Sequence, residues 1–552
     1  MAGPFVALQT SARCPKCSRI FNSETLRRIV QPGCRTSYDV ITFIGRSLFQ
    51  RYRTTREVQD ELLTRNIRIS TSEINYLGRK FISYLALGHR LAVPRIRAKM
   101  ELSGGYILHL DATHEGDCPA LMSGIDGLSE MVLANVKIPS EKADHIVPFL
   151  EDLKKNYGLP IACVRDMGTG ICKAVTQVFP GRPDYVCHFH FLRDIGKDFL
   201  EPSYRTLRNR LRHYAASTFL SAIVRETRHR FSQKAGSLAD AILSAVIPES
   251  EPLFPLASTY AVAAWCLRGK HSGDGYGFPF DRTQLNFAQR LLGAADHLPA
   301  LLETFSTEDK KSKRLLAKLT RKVTQIEKDP ELNRAVKELH WRSQLFDRLR
   351  CAMRIAPHGG GNGLNDDGTA AAISSIQKGV EQFRSQIAED PKLSEDQLCI
   401  KMVAQIDKYG DKLFADPIVV DTPNGSVTIY PQRTNNIIEQ FFRDLKRGHR
   451  RRTGNNRMSR FLKTMLADTP LVKNLDNPEY MEMLLGDRDS LEELFSEVDR
   501  LQTKEDEKSV NKNNRVLPGF KAIINMPLLP EYMVNLFSEH QKTVKSNRLL
   551  LS

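Results

Sequence analysis

The stretch Gly104-Gly-Tyr-Ile-Leu-His-Leu-Asp111 is a short apolar run that ends in a carboxylate, and it predicts the first strand of a sheet. Two more runs of this kind follow closely, at 120–127 and 131–138. Because these runs are separated only by short turns, they predict three strands of an antiparallel meander.

Helices and strands alternate further along the chain. Residues 140–153 have the apolar spacing of a helix, and Ile161-Ala-Cys-Val-Arg-Asp166 is another buried strand that ends in a carboxylate. A turn at 168–170 leads into a second helix, and residues 185–190 predict a fifth strand. The predicted order is therefore β-β-β-α-β-α-β, which is the order of an RNase H-like mixed five-stranded sheet whose first and fourth strands are neighbours.

Two carboxylates, Asp111 and Asp166, would lie side by side at the strand ends in that arrangement. Ionised carboxylates at close range repel each other unless a cation lies between them. Mg²⁺ suits such a site, because it prefers hard oxygen ligands and keeps water and phosphate in its shell. For either residue alone, a turn former or a helix cap is the alternative interpretation.

A third carboxylate, Glu439, comes far downstream in a segment with helical spacing, which Thr434 or Asn435 can cap. Residues 443–463 hold nine Lys and Arg against a single acid, which is more than a solvated helix face needs. The polar face would therefore present Glu439 and then cations that contact DNA phosphates. The predicted contacts are Arg443, Lys446, Arg447, Arg450, Arg451 and Arg452.

The chain between Asp166 and Glu439 is too long for a loop. Residues 201–428 read mainly as helices and predict a large all-α insertion into the core. The basic helix near 310–322 either contacts DNA or has an ordinary solvated face.

The N-terminal region carries a Cys14-Pro-Lys-Cys17 knuckle, and Cys34 follows it. Thiolates at this spacing suit tetrahedral zinc, but a closed structural site needs four ligands and the sequence offers three. A structural Zn²⁺ at these residues and a loop-rich segment with buried thiols both remain open.

Residues 54–90 predict two helices with a short break, and Ser70 with Glu73 forms a capping box for the second. Arg79 and Lys80 lie off the apolar stripe of that second helix. The spacing is typical of a helix-turn-helix whose second helix enters a DNA major groove, although two packed helices also occur as plain scaffolding.

Together these motifs resemble those of bacterial and Mutator-like DDE transposases, which carry a helical insertion before the final Glu. The matching segments are Leu-Asp111-Ala-Thr, Arg-Asp166-Met-Gly and Thr-Asn-Asn-Ile-Ile-Glu439, the last of which leads into the basic run 446–454. The resemblance implies that Asp111, Asp166 and Glu439 hold two Mg²⁺ or Mn²⁺ ions.

A further element, Cys187-His-Phe-His190, is similar to the Cys-x-x-His that such enzymes carry after the second Asp. The resemblance implies a structural or DNA-positioning role for Cys187 and His190. Two ordinary strand residues are the alternative.

The resemblance implies a transposase that cleaves double-stranded DNA at transposon ends and joins those ends to target DNA. A dimer at least is expected, because two DNA ends must be brought together. One alternative is a nuclease or resolvase on the same core without strand transfer. Another is a transposon-derived DNA-binding protein without catalysis.

The charge balance agrees with a nucleic-acid partner. Among 552 residues, Lys and Arg number 80 against 64 Asp and Glu, a net charge of +16, and an ordinary basic protein is the alternative. No apolar run is long enough to span a membrane, the N-terminus lacks signal-peptide architecture, and the ten cysteines favour a reducing compartment. We expect a cytoplasmic, nucleoid-associated protein of a prokaryotic host.

The sequence predicts a multidomain α/β plus α protein with six regions. They are a zinc-ribbon-like lead-in at 1–40, a helix-turn-helix at 41–98, the first part of the RNase H-like core at 99–200, the helical insertion at 201–428, the second part of the core with the Glu439 helix at 429–480, and a C-terminal helical tail at 481–552.

Overall fold

A computed structural model of the chain describes residues 3–7, 10–22, 24–31, 34–247, 252–305, 310–355, 370–414, 416–497 and 520–538. The fold is mixed α and β, with one five-stranded mixed sheet and many helices. The chain forms two compact units. The first comprises Met1–Glu101, Ala112–Leu159 and Ile438–Ser552, and the second comprises Leu102–Asp111 and Pro160–Ile437.

The described strands lie in one sheet and two hairpins. In chain order they are β1 Ser11–Arg13, β2 Ile20–Asn22, β3 Ile107–Thr113, β4 Ala120–Asp126, β5 Val132–Ile138, β6 Ala162–Arg165, β7 Asp184–Val186, β8 Ile418–Thr422 and β9 Gly425–Ile429. The sheet has the order β5-β4-β3-β6-β7, while β1-β2 and β8-β9 are antiparallel hairpins.

The register of the sheet confirms that the first and fourth predicted strands are neighbours. Strand β3 runs parallel to β6 with Ile107 opposite Ala162 and Leu110 opposite Arg165. Strand β6 runs parallel to β7, whereas β4 and β5 are antiparallel. Every residue of β4 is buried, as expected of a strand that is covered on both faces.

The helices account for most of the remaining chain. They are α1 Glu24–Ile29, α2 Tyr38–Gly45, α3 Thr55–Thr64, α4 Thr71–Leu102, α5 Ala143–Tyr157, α6 Thr169–Val178, α7 His188–His213, α8 Ala216–Phe231, α9 Ala235–Ser244, α10 Phe254–Arg268, α11 Thr283–Thr304, α12 Lys310–Glu327, α13 Pro330–Ala352, α14 Ala370–Glu389, α15 Pro391–Ser394, α16 Gln397–Leu413, α17 Asn436–Thr453, α18 Ser459–Thr464, α19 Pro478–Leu485, α20 Leu491–Glu497 and α21 Lys521–Ile524.

The two N-terminal helices begin where the sequence predicts. Thr54 forms a complete capping box with Glu57 at the start of α3. At the start of α4, the Ser70 hydroxyl accepts a hydrogen bond of 3.2 Å from the Glu73 N–H. Helix α4 continues past residue 90, because Ala92, Ile96 and Met100 keep burying one face at helical spacing.

The second unit contains helices α7 to α16, which share one continuous hydrophobic core. The chain turns between α7 and α8 at Ala215, which has a φ of 48°. The β8-β9 hairpin packs against the sheet, because Ile418, Val420 and Ile429 join Ile107 and Ile161 in a small apolar cluster.

The prediction of a fifth strand over 185–190 is wrong at its end. Strand β7 stops at Val186, and α7 begins at His188. An apolar run this short fits a strand and a helix start equally well, so its periodicity could not decide.

Parts of the sequence interpretation lie outside the described residues. The glycine-rich sequence at 359–363 predicts an exposed loop, and the polar, charged sequence at 503–515 predicts a linker. Both lie outside the described residues, as do residues 539–552 at the end of the C-terminal tail. Within the described ranges, no helix combines the length and the apolar character that crossing a bilayer requires.

Candidate functional site

The carboxyl ends of β3 and β6 bring Asp111 and Asp166 to the same edge of the sheet. Leu110 is aligned with Arg165, and each Asp is the next residue in the chain. Neighbouring strands lie about 4.7–4.9 Å apart, so the two backbones run side by side at this point. Both side chains are half-buried. The two acids therefore start from adjacent positions, as the sequence predicts.

The Asp166 carboxyl occupies an environment that disfavours its charge. Burial raises the pKa of Asp166, although the Gly168 N–H and the nearby Arg165 and Arg193 act in the opposite direction. The Gly168 N–H donates to Oδ1 at 3.0 Å. A Cβ at Gly168 would lie 3.1 Å from that oxygen, so the turn into α6 fits closely around the carboxylate.

A buried arginine network holds the ends of β6 and β7. The Arg165 guanidinium pairs with Asp184 and donates to the Asp166 carbonyl at 2.8 Å. Lys412 reaches the same Asp184 carboxylate at 2.7 Å. Because the Arg165 side chain is almost fully buried, this network fixes the backbone from which Asp166 projects.

Asn435 is a buried site residue that the sequence interpretation treated only as a helix cap. Its Nδ2 donates to the Leu110 carbonyl at 2.8 Å, and its Oδ1 lies 2.9 Å from His109 Nδ1. Its backbone N–H donates to Cys187 Sγ at 3.2 Å. These contacts hold the start of α17 against the end of β3. A polar His109 in an otherwise apolar strand was the one sequence signal of a buried partner.

Cys187 and His190 come together at the start of α7. Cys187 is the N-cap residue, and residues three apart on a helix share a face. The Cys187 Sγ and a ring nitrogen of His190 lie within 4.8 Å of each other, and both residues are buried. Burial, together with the nearby charges of Arg193 and Lys197, lowers the pKa of His190 to about 3, so the ring is neutral at pH 7. The pair is thus a helix-start feature rather than part of a strand.

Glu439 lies in the first turn of α17, and its side chain is half-buried. The cations that follow it are exposed at Arg443, Lys446, Arg447, Arg450 and Arg451. Arg452, which was also predicted to face DNA, is only partly exposed and packs among aromatic rings.

The segment after α17 is tied to the loop that follows β3. The Glu115 carboxylate accepts a hydrogen bond of 2.5 Å from the Met458 N–H. Lys463 Nζ lies 3.0 Å from Asp117 Oδ1. Both contacts lie within the first unit, and they hold the basic segment beside a loop that begins three residues after Asp111.

The N-terminal cysteines separate into a pair and a single thiol. Cys14 and Cys17 lie in the β1-β2 turn, where hydrogen bonds from the backbone of Cys17 and Lys16 lower the pKa of Cys14. Cys34 does not join them in a group of three ligands among the described residues. Its thiol instead lies 3.3 Å from Lys80 Nζ.

The predicted DNA contacts on α4 differ in their exposure. Arg79 is exposed and stays available to a partner. The prediction that Lys80 contacts DNA is wrong, because its side chain is buried against Cys34 and over the Tyr84 ring. The helix is buried around most of its circumference at this level, so a position off the main apolar stripe is still inside the protein.

No protein-family model matches the chain, and no curated protein matches it at a significant level.

Proposed function

We propose that this chain is a DDE-type transposase that cleaves DNA at the ends of a mobile element and joins the ends to target DNA. Its catalytic core would be RNase H-like, with the helices of the second unit as an insertion. The observation that carries the proposal is the register of β3 and β6, which sets Asp111 and Asp166 side by side.

The place of the third acid, Glu439, is inferred from the contacts of Asn435. That residue is hydrogen-bonded to Leu110, the residue before Asp111, and α17 begins immediately after it. Glu439 is one helical turn further along, a rise of about 6 Å. From this attachment of the start of α17 we infer that Glu439 shares one site with Asp111 and Asp166.

The donor set fits divalent cations. Three carboxylates are the hard oxygen ligands that Mg²⁺ and Mn²⁺ prefer, and the burial that raises the pKa of Asp166 would be offset by a bound cation. Two ions bound by Asp111, Asp166 and Glu439 would supply activation of a water or a DNA 3′-hydroxyl and stabilisation of the leaving oxygen.

The protein's own residues would position the DNA. The exposed cations of α17 would hold phosphates in the turns that follow Glu439, and Arg79 would contribute from α4. Cys187 and His190 would position the DNA or support the site from the start of α7. We expect at least a dimer on DNA, and an association with the nucleoid of a prokaryotic host.

The test is cleavage of the DNA that flanks the coding sequence on both sides, with Mg²⁺ or Mn²⁺. We expect Asp111→Asn, Asp166→Asn and Glu439→Gln each to lose more than about 100-fold in cleavage, beyond the 10–100-fold typical of outer-shell residues. DNA binding should persist in all three. Asp152→Asn is the matched control, because Asp152 is exposed on α5. This variant should cleave DNA normally.

The same assay separates the alternatives. Joining of a labelled 3′ end to a target plasmid supports transposition, whereas cuts without joining identify a nuclease or resolvase on the same core. Binding of the flanking DNA without metal-dependent cuts identifies a DNA-binding protein. Normal cleavage by the three acid variants would refute the proposed active site.

A further inference from the structure

The first unit contains a cavity of about 380 Å³ beside the second half of α17. Its walls are the π-helical turn Arg46–Gln50 with Tyr52, the residues 441–452 of α17, and the segment 469–476. The volume lies in the range of small-molecule sites, about 300–1,000 Å³. None of the three acids Asp111, Asp166 and Glu439 lines the cavity, whereas Arg447 and Arg451 of the exposed cations lie at its wall.

Arg452 is a partly buried cation that lines this cavity. Its guanidinium lies 5.4 Å from the centre of the Phe49 ring and 5.5 Å from that of Phe461. Within the described parts of the chain, no carboxylate pairs with it, and burial lowers its pKa. A partly buried cation without a counter-ion is costly to keep, so an anionic ligand would stabilise it.

A second cation that lines the cavity also lies over an aromatic ring. Lys473 Nζ lies 5.6 Å from the centre of the Phe441 ring. The two acids that line the cavity are already engaged, because Asp444 lies 3.7 Å from Arg447 and Asp476 accepts from Gln50. The cavity therefore offers cations together with aromatic surface.

The aromatic wall is held close to the helix by Gly448. A Cβ at that position would come within 2.0 Å of the Tyr52 ring, so the ring lies directly on the helix backbone. Tyr52 itself has a φ of 54°, a conformation that an aromatic residue rarely adopts. The strained backbone of Tyr52 therefore places its ring at the cavity wall.

We propose that this cavity binds one unpaired nucleotide of a DNA strand, with its phosphate at Arg452 and Lys473 and its base against the rings of Phe49 and Tyr52. Stacking on aromatic side chains and phosphate contact with cations are the two means by which proteins bind single-stranded nucleic acid. The inference rests on the proposed function only for the choice of DNA as the source of the nucleotide.

The experiment measures binding of the full chain to three DNAs without divalent metal. They are a blunt duplex, the same duplex with a short single-stranded overhang that contains 2-aminopurine, and that overhang with abasic sites. We expect quenching of 2-aminopurine on binding, and about tenfold tighter binding of the overhang than of the abasic form, the change expected from loss of one base stack.

Two variants with equal charge loss test the residues. Arg452→Gln should remove the preference for the overhang, whereas Arg460→Gln, at an exposed position outside the cavity, should weaken all three DNAs by the same factor. Phe49→Leu should abolish the quenching, with thermal unfolding as a check on the fold. The wild-type comparison of base with abasic overhang tests the proposal even if a variant misfolds.

Equal affinity for the three DNAs, or retention of the preference in Arg452→Gln, would overturn the proposal. Saturable binding of a free deoxynucleoside monophosphate that competes equally with every DNA would overturn the assignment to a DNA strand. Asp111→Asn should keep the quenching, so loss of cleavage and loss of nucleotide binding remain distinguishable.

Discussion

Replacing Asn435 with alanine removes two hydrogen bonds from a fully buried position. The change leaves His109 Nδ1 and the Leu110 carbonyl without the partners that they have at 2.9 and 2.8 Å. Each buried polar group left unpaired costs about 1–3 kcal/mol, so the free energy of unfolding should fall by roughly 2–6 kcal/mol. The backbone bond to Cys187 remains and limits the loss.

Urea unfolding, followed by circular dichroism and by tryptophan fluorescence, measures this change. Asn424→Ala is the matched control, because Asn424 is exposed in the β8-β9 turn and its loss should stay within about 0.5 kcal/mol. DNA cleavage by Asn435→Ala should also fall, since the start of the Glu439 helix loses its attachment to β3. A loss of unfolding free energy equal to that of the control would refute the argument that Asn435 anchors α17.

Two pH predictions follow from buried groups. Burial raises the pKa of Asp166, so the folded metal-free protein disfavours the ionised form of this carboxyl. The free energy of unfolding therefore falls as pH rises above the pKa of an Asp in the unfolded chain, about 3.9. Asp166→Asn should be more stable than the parent at pH 7 but not at pH 3. Urea titrations with EDTA at the two pH values check this, and equal stability at pH 7 would contradict it. Burial lowers the pKa of His89 and His109 to about 4 and of His188 and His190 to about 3. The stability that these neutral histidines contribute is complete above pH 6.5 and is lost as pH falls towards 3. The urea midpoint of unfolding should therefore drop over that interval. A midpoint that does not change with pH would contradict the burial of neutral rings.

The strands of the sheet could be predicted because each is a short apolar run bounded by turn residues. The parallel neighbours β3 and β6 then followed from the order of elements, and with them the adjacency of Asp111 and Asp166. This information is local in the sequence, and the right-handed crossover rule leaves few ways to assemble it.

The remaining features depend on contacts between distant residues. The role of Asn435 requires that residues near 110, 187 and 435 meet, and no local pattern encodes this. Lys80 is buried because α4 is covered on several sides. The single apolar stripe in the sequence therefore did not show which residues of α4 are buried. The cavity at Arg452 likewise draws its walls from three separated segments.

The attachment at Cys187 has a consequence for how this architecture can vary. The His188 N–H donates to the Arg433 carbonyl at 2.9 Å, and the Asn435 N–H reaches Cys187 Sγ at 3.2 Å. The intervening chain therefore begins and ends at the same place in the fold, and two hydrogen bonds join its two ends. Segments whose ends meet tolerate exchange well. Because Lys412 and the β8-β9 hairpin contact the sheet, the helices α8 to α15 are the part of this stretch that can be lengthened, shortened or replaced while the strand ends keep their positions.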